Sequence, residues 1–207
     1  MSLVELLKKN VRFQEGLTAC INCGTCTAIC PAAHFYEYDP RMIVDTVQHG
    51  NETEILALLE SDTIWYCGEC LSCKTRCPRN NTPGYVVQAL RNLSQELGYF
   101  RKSGKGRQQL EVKRIIGKNM IEYGYCVFLD EIDLEGHPEQ GPVWQWYKDN
   151  AESILKRLGA NYKGEGAGTL RKISEEDLKE LNRIFEVTGA IKRFEDIEKY
   201  CRSEVVK

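Results

Sequence analysis

In the stretch GYVVQALRNLSQEL the apolar residues Val86, Val87, Leu90, Leu93 and Leu97 fall three and four positions apart, the period of one buried helix face. Thr82 followed by Pro83 supplies a cap and a helix-starting proline, and Gly98 marks the stop. Asp39 and Pro40 repeat that start signal, and Gly50 closes the helix they open. Asn51 begins another, with Glu54 set for a capping box and Ile55, Leu56, Leu58 and Leu59 as its apolar positions. Nearer the start, Ser2 caps a short helix reaching about Asn10, with Leu3, Leu6 and Leu7 on one side.

Beyond residue 100 the pattern is still helical but less sharp. RKSGKGR (101–107) is glycine-rich and basic, a junction. A helix through QQLEVKRIIGKNMIEY follows. YCVFLDEIDL carries the only strand-like apolar density and is expected to be extended. GPVWQWYKDNAESILKRLG reads as one helix from Pro142 to just before Gly159, and Ser174 with Asp177 opens a charged helix ending near Gly189. IKRFEDIEKYCR forms a last short helix. The expected class is therefore mainly α, with a cysteine-bearing domain over 1–100 and a helical C-terminal extension over 101–207.

Composition changes this picture little. The chain has 207 residues, a formal charge of −2, and apolar and charged fractions of 42% and 28%, those of an ordinary soluble protein and not of a nucleic-acid binder. No apolar run approaches the ~20 residues of a membrane-spanning helix. MSLVELLKKN places its lysines after its apolar residues, the reverse of a secretory signal. A cytoplasmic location is expected, where thiols stay reduced. Ten cysteines there point to metal or redox ligation rather than disulfides.

Eight of these cysteines fall in two identical blocks, C-x2-C-x2-C-x3-C-P: CINCGTCTAICP (Cys20 to Pro31) and CGECLSCKTRCP (Cys67 to Pro78). A structural zinc site uses two C-x2-C pairs joined by a longer linker. Three cysteines at i, i+3 and i+6 instead wrap one loop around a compact cluster, and the fourth, before proline, comes from elsewhere. That is the ligand run of 4Fe–4S ferredoxins, in which the fourth cysteine of each block serves the other cluster. By analogy with that rule, Cys20, Cys23, Cys26 and Cys77 hold one cluster, and Cys67, Cys70, Cys73 and Cys30 hold the other. Gly24, Thr25, Thr27, Ala28, Gly68 and Ser72 are small, so backbone N–H groups can approach the cluster sulfurs. Crossed ligands tie both halves together, so loss of iron should unfold the domain.

Two such blocks with helices between them resemble the helical ferredoxin superfamily. Its members include the C subunit of heterodisulfide reductase and the iron–sulfur subunits of succinate, glycerol-3-phosphate and glycolate oxidising enzymes. The chain has no C-x4-C-x2-C block for a 2Fe–2S cluster and no adjacent cysteine pair, so it is similar to the stand-alone C subunit over roughly residues 1–100. The segment from YGYCVFLDEIDLEGHPEQGPVWQWYKDN onward resembles the longer C subunits of the heterodisulfide-reductase-like complex of sulfur-oxidising microbes. The resemblance implies a relay through two 4Fe–4S clusters between a flavin-bearing A-type subunit and a catalytic B-type subunit acting on disulfide or sulfur substrates. The chain itself would be a non-catalytic electron-transfer subunit, and no nucleophile–base–orienter set appears in its residues. The competing reading is an iron–sulfur scaffold or redox sensor whose clusters are structural.

Other features carry blander expectations. GEGAG (164–168) lacks dinucleotide-fingerprint spacing and reads as a linker. Cys126, among Tyr125, Val127 and Phe128, is expected to be a buried, inert thiol, and Cys201 an incidental one. His34, His49 and His137 share no ligand spacing and are assigned packing or surface roles. Trp144 and Trp146 point different ways on one helix, with a core role expected for either. The basic run Arg101, Lys102, Lys105, Arg107, Lys113, Arg114 and Lys118 is a solvated face or a site for an acidic partner or anionic lipid. Lys74, Arg76 and Arg79, in or beside the second block, are expected to raise the potential of that block's cluster.

Overall fold

Helix α1 (Leu3–Lys9) begins at Ser2, whose hydroxyl accepts the Glu5 N–H while the Glu5 carboxylate accepts the Ser2 N–H. The computed structural model describes residues 1–135 and 141–202. After α1 come α2 (Val11–Gly16), a one-turn α3 (Thr25–Ala28), α4 (Pro40–His49), α5 (Glu52–Glu60) and α6 (Pro83–Glu96). The helices α7 (Gly104–Tyr123), α8 (Pro142–Asp149), α9 (Ala151–Arg157), α10 (Glu175–Val187) and α11 (Ala190–Arg202) follow. Among the described residues there is no strand, and no helix is long and apolar enough to cross a membrane. The fold is mainly α.

The chain divides into two compact units, Met1–Gln109 with the segment from Arg193, and Leu110–Lys192. In the first, α6 is the central helix and packs against α2, α4 and α5. Its Val86, Val87, Ala89 and Leu90 are fully buried, as are Ile55 and Leu59 of α5. Each such branched side chain contributes about 1.5–3 kcal/mol on burial. The Ser94 hydroxyl donates to the Leu59 carbonyl at 2.7 Å and fixes α6 on α5. Glu52 of α5 accepts the Leu3 and Val4 N–H groups at 2.8 and 3.1 Å, so it caps α1 from another helix. Gly16 ends α2 so close to α6 that a Cβ there would lie 3.0 Å from Tyr85 Cβ and 3.1 Å from the Val86 nitrogen. This approach delivers the chain to the first cysteine beside the end of the second block.

The second unit has a small core of Leu129, Ala151 and Leu155, with Ile132, Tyr147 and Leu170 packed on it. The structure departs from expectation at two places in this unit. YCVFLDEIDL is not extended. With no second strand to satisfy its backbone, it turns through a 3₁₀ helix at Leu129–Glu131, which puts Leu129 and Ile132 on one side. The helix expected over Pro142–Leu158 breaks at Asn150, whose side chain donates to the Trp146 carbonyl at 2.8 Å, giving α8 and α9.

Cys126 is exposed rather than buried: Val127 beside it is exposed too, and Phe128 stacks on Tyr123 at 4.1 Å. Trp146 is exposed too, while Trp144 meets Tyr147 edge-on at 6.1 Å. The GEGAG segment closes around Asn161, which donates to the Glu165 and Ala167 carbonyls. Much of the basic run is paired locally: Lys102 with Glu60, Arg114 with Glu111, and Lys118 with Glu122 and Glu131. The role assigned to His137 falls outside the described residues.

Candidate metal centre

The two cysteine blocks fold alike. Two residues after the first cysteine of each, Asn22 and Glu69 have left-handed φ of 58° and 54°. Four residues after it, Gly24 and Leu71 do too, at 79° and 59°. A left-handed leucine is costly, of order 1–3 kcal/mol, and persists only where its surroundings impose it. Such alternation turns successive N–H groups to one side and forms an anion-binding concavity of the kind found at iron–sulfur sites. The Asn22 N–H already lies 3.3 Å from Cys20 Sγ.

Asn81 explains how the end of the second block reaches the start of the first. It is 2% exposed, accepts the Thr18 N–H at 2.8 Å and donates to the Ala19 carbonyl at 2.9 Å. Gln48 then grips the next peptide, accepting the Cys20 N–H at 2.5 Å and donating to its carbonyl at 3.1 Å. As a result Cys20, Cys23, Cys26 and Cys77 line one cavity, with Gly24, Arg41, Arg79 and Pro83 among their neighbours.

The converse crossing runs through aromatic residues. Tyr36, just after the first block, stacks on Tyr66, just before the second, at 4.4 Å. Tyr38 is buried and lies beside the Cys67 and Cys30 sulfurs; burial and the two sulfurs push its hydroxyl pKa far up. Cys73 in turn lies near Cys67 and Cys70, and Cys26 near both Cys20 and Cys73, so the two thiol groups are neighbours. Sequence reasoning missed Asn81, Gln48 and Tyr38. None has a motif spacing, although a buried asparagine three residues past the second block's proline is the sort of residue a crossover needs.

Thiol electrostatics repeat as well. The Thr25 hydroxyl sits 3.4 Å from Cys23 Sγ and lowers its pKa, and the Ser72 hydroxyl does the same for Cys70 at 3.4 Å. Burial raises the third cysteine of each block, Cys26 to about 11 and Cys73 also upward, the latter opposed by the Gly84 N–H at the start of α6. Gly84 permits that approach: a Cβ there would lie 3.1 Å from Leu71 and 3.8 Å from Cys73 Sγ.

The donor set fits a cluster. It is all thiolate, it surrounds a cavity, and its backbone amides face the sulfurs. Among the described residues, no three His, Cys, Asp or Glu side chains close to the spacing one metal ion needs. The sequence-based grouping of Lys74, Arg76 and Arg79 also changes. Arg79 lines the cavity of Cys20, Cys23, Cys26 and Cys77, since it travels with Cys77 across the fold, while Lys74 lies over the Tyr85 ring at 5.6 Å.

Residues 16–81 match the family of 4Fe-4S dicluster domains. The chain is 34% identical to the C subunit of the ferredoxin:CoB-CoM heterodisulfide reductase of Methanosarcina acetivorans, over 99% of this chain and 74% of the relative. It is 30% identical to the iron-sulfur C subunit of the CoB–CoM heterodisulfide reductase of Methanopyrus kandleri, over 77% and 80%. With the C subunit of the H2:CoB-CoM heterodisulfide,ferredoxin reductase of Methanothermobacter marburgensis it shares 28%, over 70% and 75%. Likeness that runs through the cysteine loops and on into the helices beyond them makes this chain a member of the family of heterodisulfide reductase C subunits, which are iron–sulfur electron-transfer proteins.

Proposed function

We propose that the chain relays electrons through two 4Fe–4S clusters inside a heterodisulfide-reductase-like complex. Cys20, Cys23, Cys26 and Cys77 would hold one cluster, and Cys67, Cys70, Cys73 and Cys30 the other. The observation that carries this reading is the cavity lined by three cysteines of one block and the last cysteine of the other. Each cluster, when bound, accepts and releases one electron at a time.

The chain's own part is to hold, shield and position. Cys26 and Cys73 are the half-buried thiols between the two groups, and Cys23 and Cys70 are the exposed ones toward solvent. The exposed thiols are those stabilised as thiolates by Thr25 and Ser72. The partners proposed are a flavin-bearing A-type subunit and a catalytic B-type subunit, and the substrate class of the assembled complex is a disulfide or protein-bound sulfur. The names of the relatives, each the C subunit of a larger reductase, support that assignment.

The test is an EPR-monitored redox titration of anaerobically purified protein, with iron measured on the same sample. About 8 iron atoms per chain and two reversibly reducible signals are expected. About 4 iron atoms, or centres that cannot be reduced and reoxidised, would replace the relay by a structural or sensory role.

A further inference from the structure

Each cysteine loop is held by an arginine from the helix that follows its block. Arg41 of α4 donates to the Asn22 side-chain oxygen at 2.9 Å. Arg91 of α6 donates to the Glu69 carboxylate at 2.6 Å. Asn22 and Glu69 occupy the same place in the two loops, the first left-handed residue. Both arginines use the breadth of the guanidinium to serve further acceptors: Arg41 the Asp39 carboxylate at 3.1 Å, Arg91 the Ile64 and Cys67 carbonyls at 2.7 and 2.6 Å.

Each clamp pairs its arginine with one carboxylate, and the two differ in where that carboxylate sits. At the first loop the gripped residue is neutral, and Arg41 itself lines the cysteine cavity. Its partner Asp39 is turned to the α4 N-terminus, where it accepts the Arg41 and Met42 N–H groups, and to the Thr27 hydroxyl. At the second loop the carboxylate is carried by the loop itself. A cluster gains negative charge on reduction, so a facing cation favours the reduced form and a nearby carboxylate opposes it.

We infer that Arg41 and Arg91 are positioning residues, one for each cysteine loop, and that the difference between Asn22 and Glu69 lets the two centres be tuned separately. This rests on the two-cluster reading above. Glu69→Gln is nearly isosteric and keeps an acceptor for Arg91; Gln88, which donates to the other Glu69 oxygen at 3.0 Å, can turn its amide to accept from the new N–H. Arg41→Gln leaves an asparagine in a left-handed turn that asparagine tolerates.

The experiment measures both midpoint potentials in the parent protein, Arg41→Gln and Glu69→Gln, with iron counted in each. Arg41→Gln should move one midpoint downward and leave the other in place. Glu69→Gln should move the other upward alone. Two midpoints that shift together, or that do not move in either variant, overturn the inference. Failure of the underlying reading has a different signature, a parent protein with about 4 iron atoms per chain or a single reducible centre.

Discussion

Replacing Asn81 by alanine tests the crossover directly. The change removes two bonds, to the Thr18 N–H and the Ala19 carbonyl, and leaves both groups without a partner in a half-buried setting. Each stranded group costs about 1–3 kcal/mol. Since both lie only partly buried, a combined loss of about 2–4 kcal/mol is expected. Asn81 is what fastens the end of the second block to the start of the first, so that loss should appear as easier opening of the Cys20/Cys23/Cys26/Cys77 cavity. At about 1.4 kcal/mol per tenfold in rate, iron release should accelerate roughly 30- to 1,000-fold. The assay is anaerobic release of iron to a coloured chelator, followed over time. Asn182→Ala is the control: it also loses two bonds, to the Ile121 and Leu178 carbonyls, but in the second unit. If Asn81→Ala releases iron within threefold of the parent, or no faster than Asn182→Ala, the latch assigned to Asn81 does not exist.

Three further outcomes are expected. Tyr38→Phe removes a buried hydroxyl dipole beside the Cys67 and Cys30 sulfurs, so one midpoint should fall in the same titration while the other holds. Cys126 is exposed, so brief maleimide treatment of iron-loaded protein should label it ahead of the block cysteines in peptide mapping; equal labelling of Cys20 or Cys77 would contradict their placement in the centre. Stripping iron should cost the first unit much of its helix while the second unit, whose core holds no cysteine, keeps its own; circular dichroism beside hydrogen exchange separates the two, and full retention of protection over residues 16–81 would refute it.

Much of this architecture was legible in the sequence because it is written in local chemistry. Ser2, Asp39 and Asn51 cap the helices their positions announced, and Gly50 stops α4 in a left-handed turn. The cysteine blocks were legible for the same reason, since a loop that wraps a cluster sets its own spacing. What escaped is what depends on partners far away in the chain. Arg79 was grouped with the second block by adjacency, yet adjacency fails beyond a cysteine that crosses over. YCVFLDEIDL has strand composition, but strand propensity expresses itself only where another strand supplies hydrogen bonds. Cys126 was expected inside because its neighbours are apolar, yet Val127 is itself exposed and Phe128 stacks on Tyr123 instead.

The two proline-started helices join the fold to the chemistry. Each begins shortly after the last cysteine of a block, α4 after Asp39 and α6 after Thr82, and each sends its first turn toward a cysteine loop. At α6 the Gly84 N–H reaches Cys73; at α4 the Asp39 cap also takes the Thr27 hydroxyl, and Arg41 one position into the helix reaches Asn22. The apolar faces of the same helices form the core, through Ile43, Val44 and Val47 on one and Val86, Val87 and Leu90 on the other. Groups that meet the charge of a thiolate centre are therefore anchored by the most buried part of the unit. A relay gains or loses one charge at each step, and fixed dipoles need not rearrange to meet it. That is why we place the tuning of this protein in Arg41 and Arg91, carried by these helices, and in the two loop residues they grip, Asn22 and Glu69.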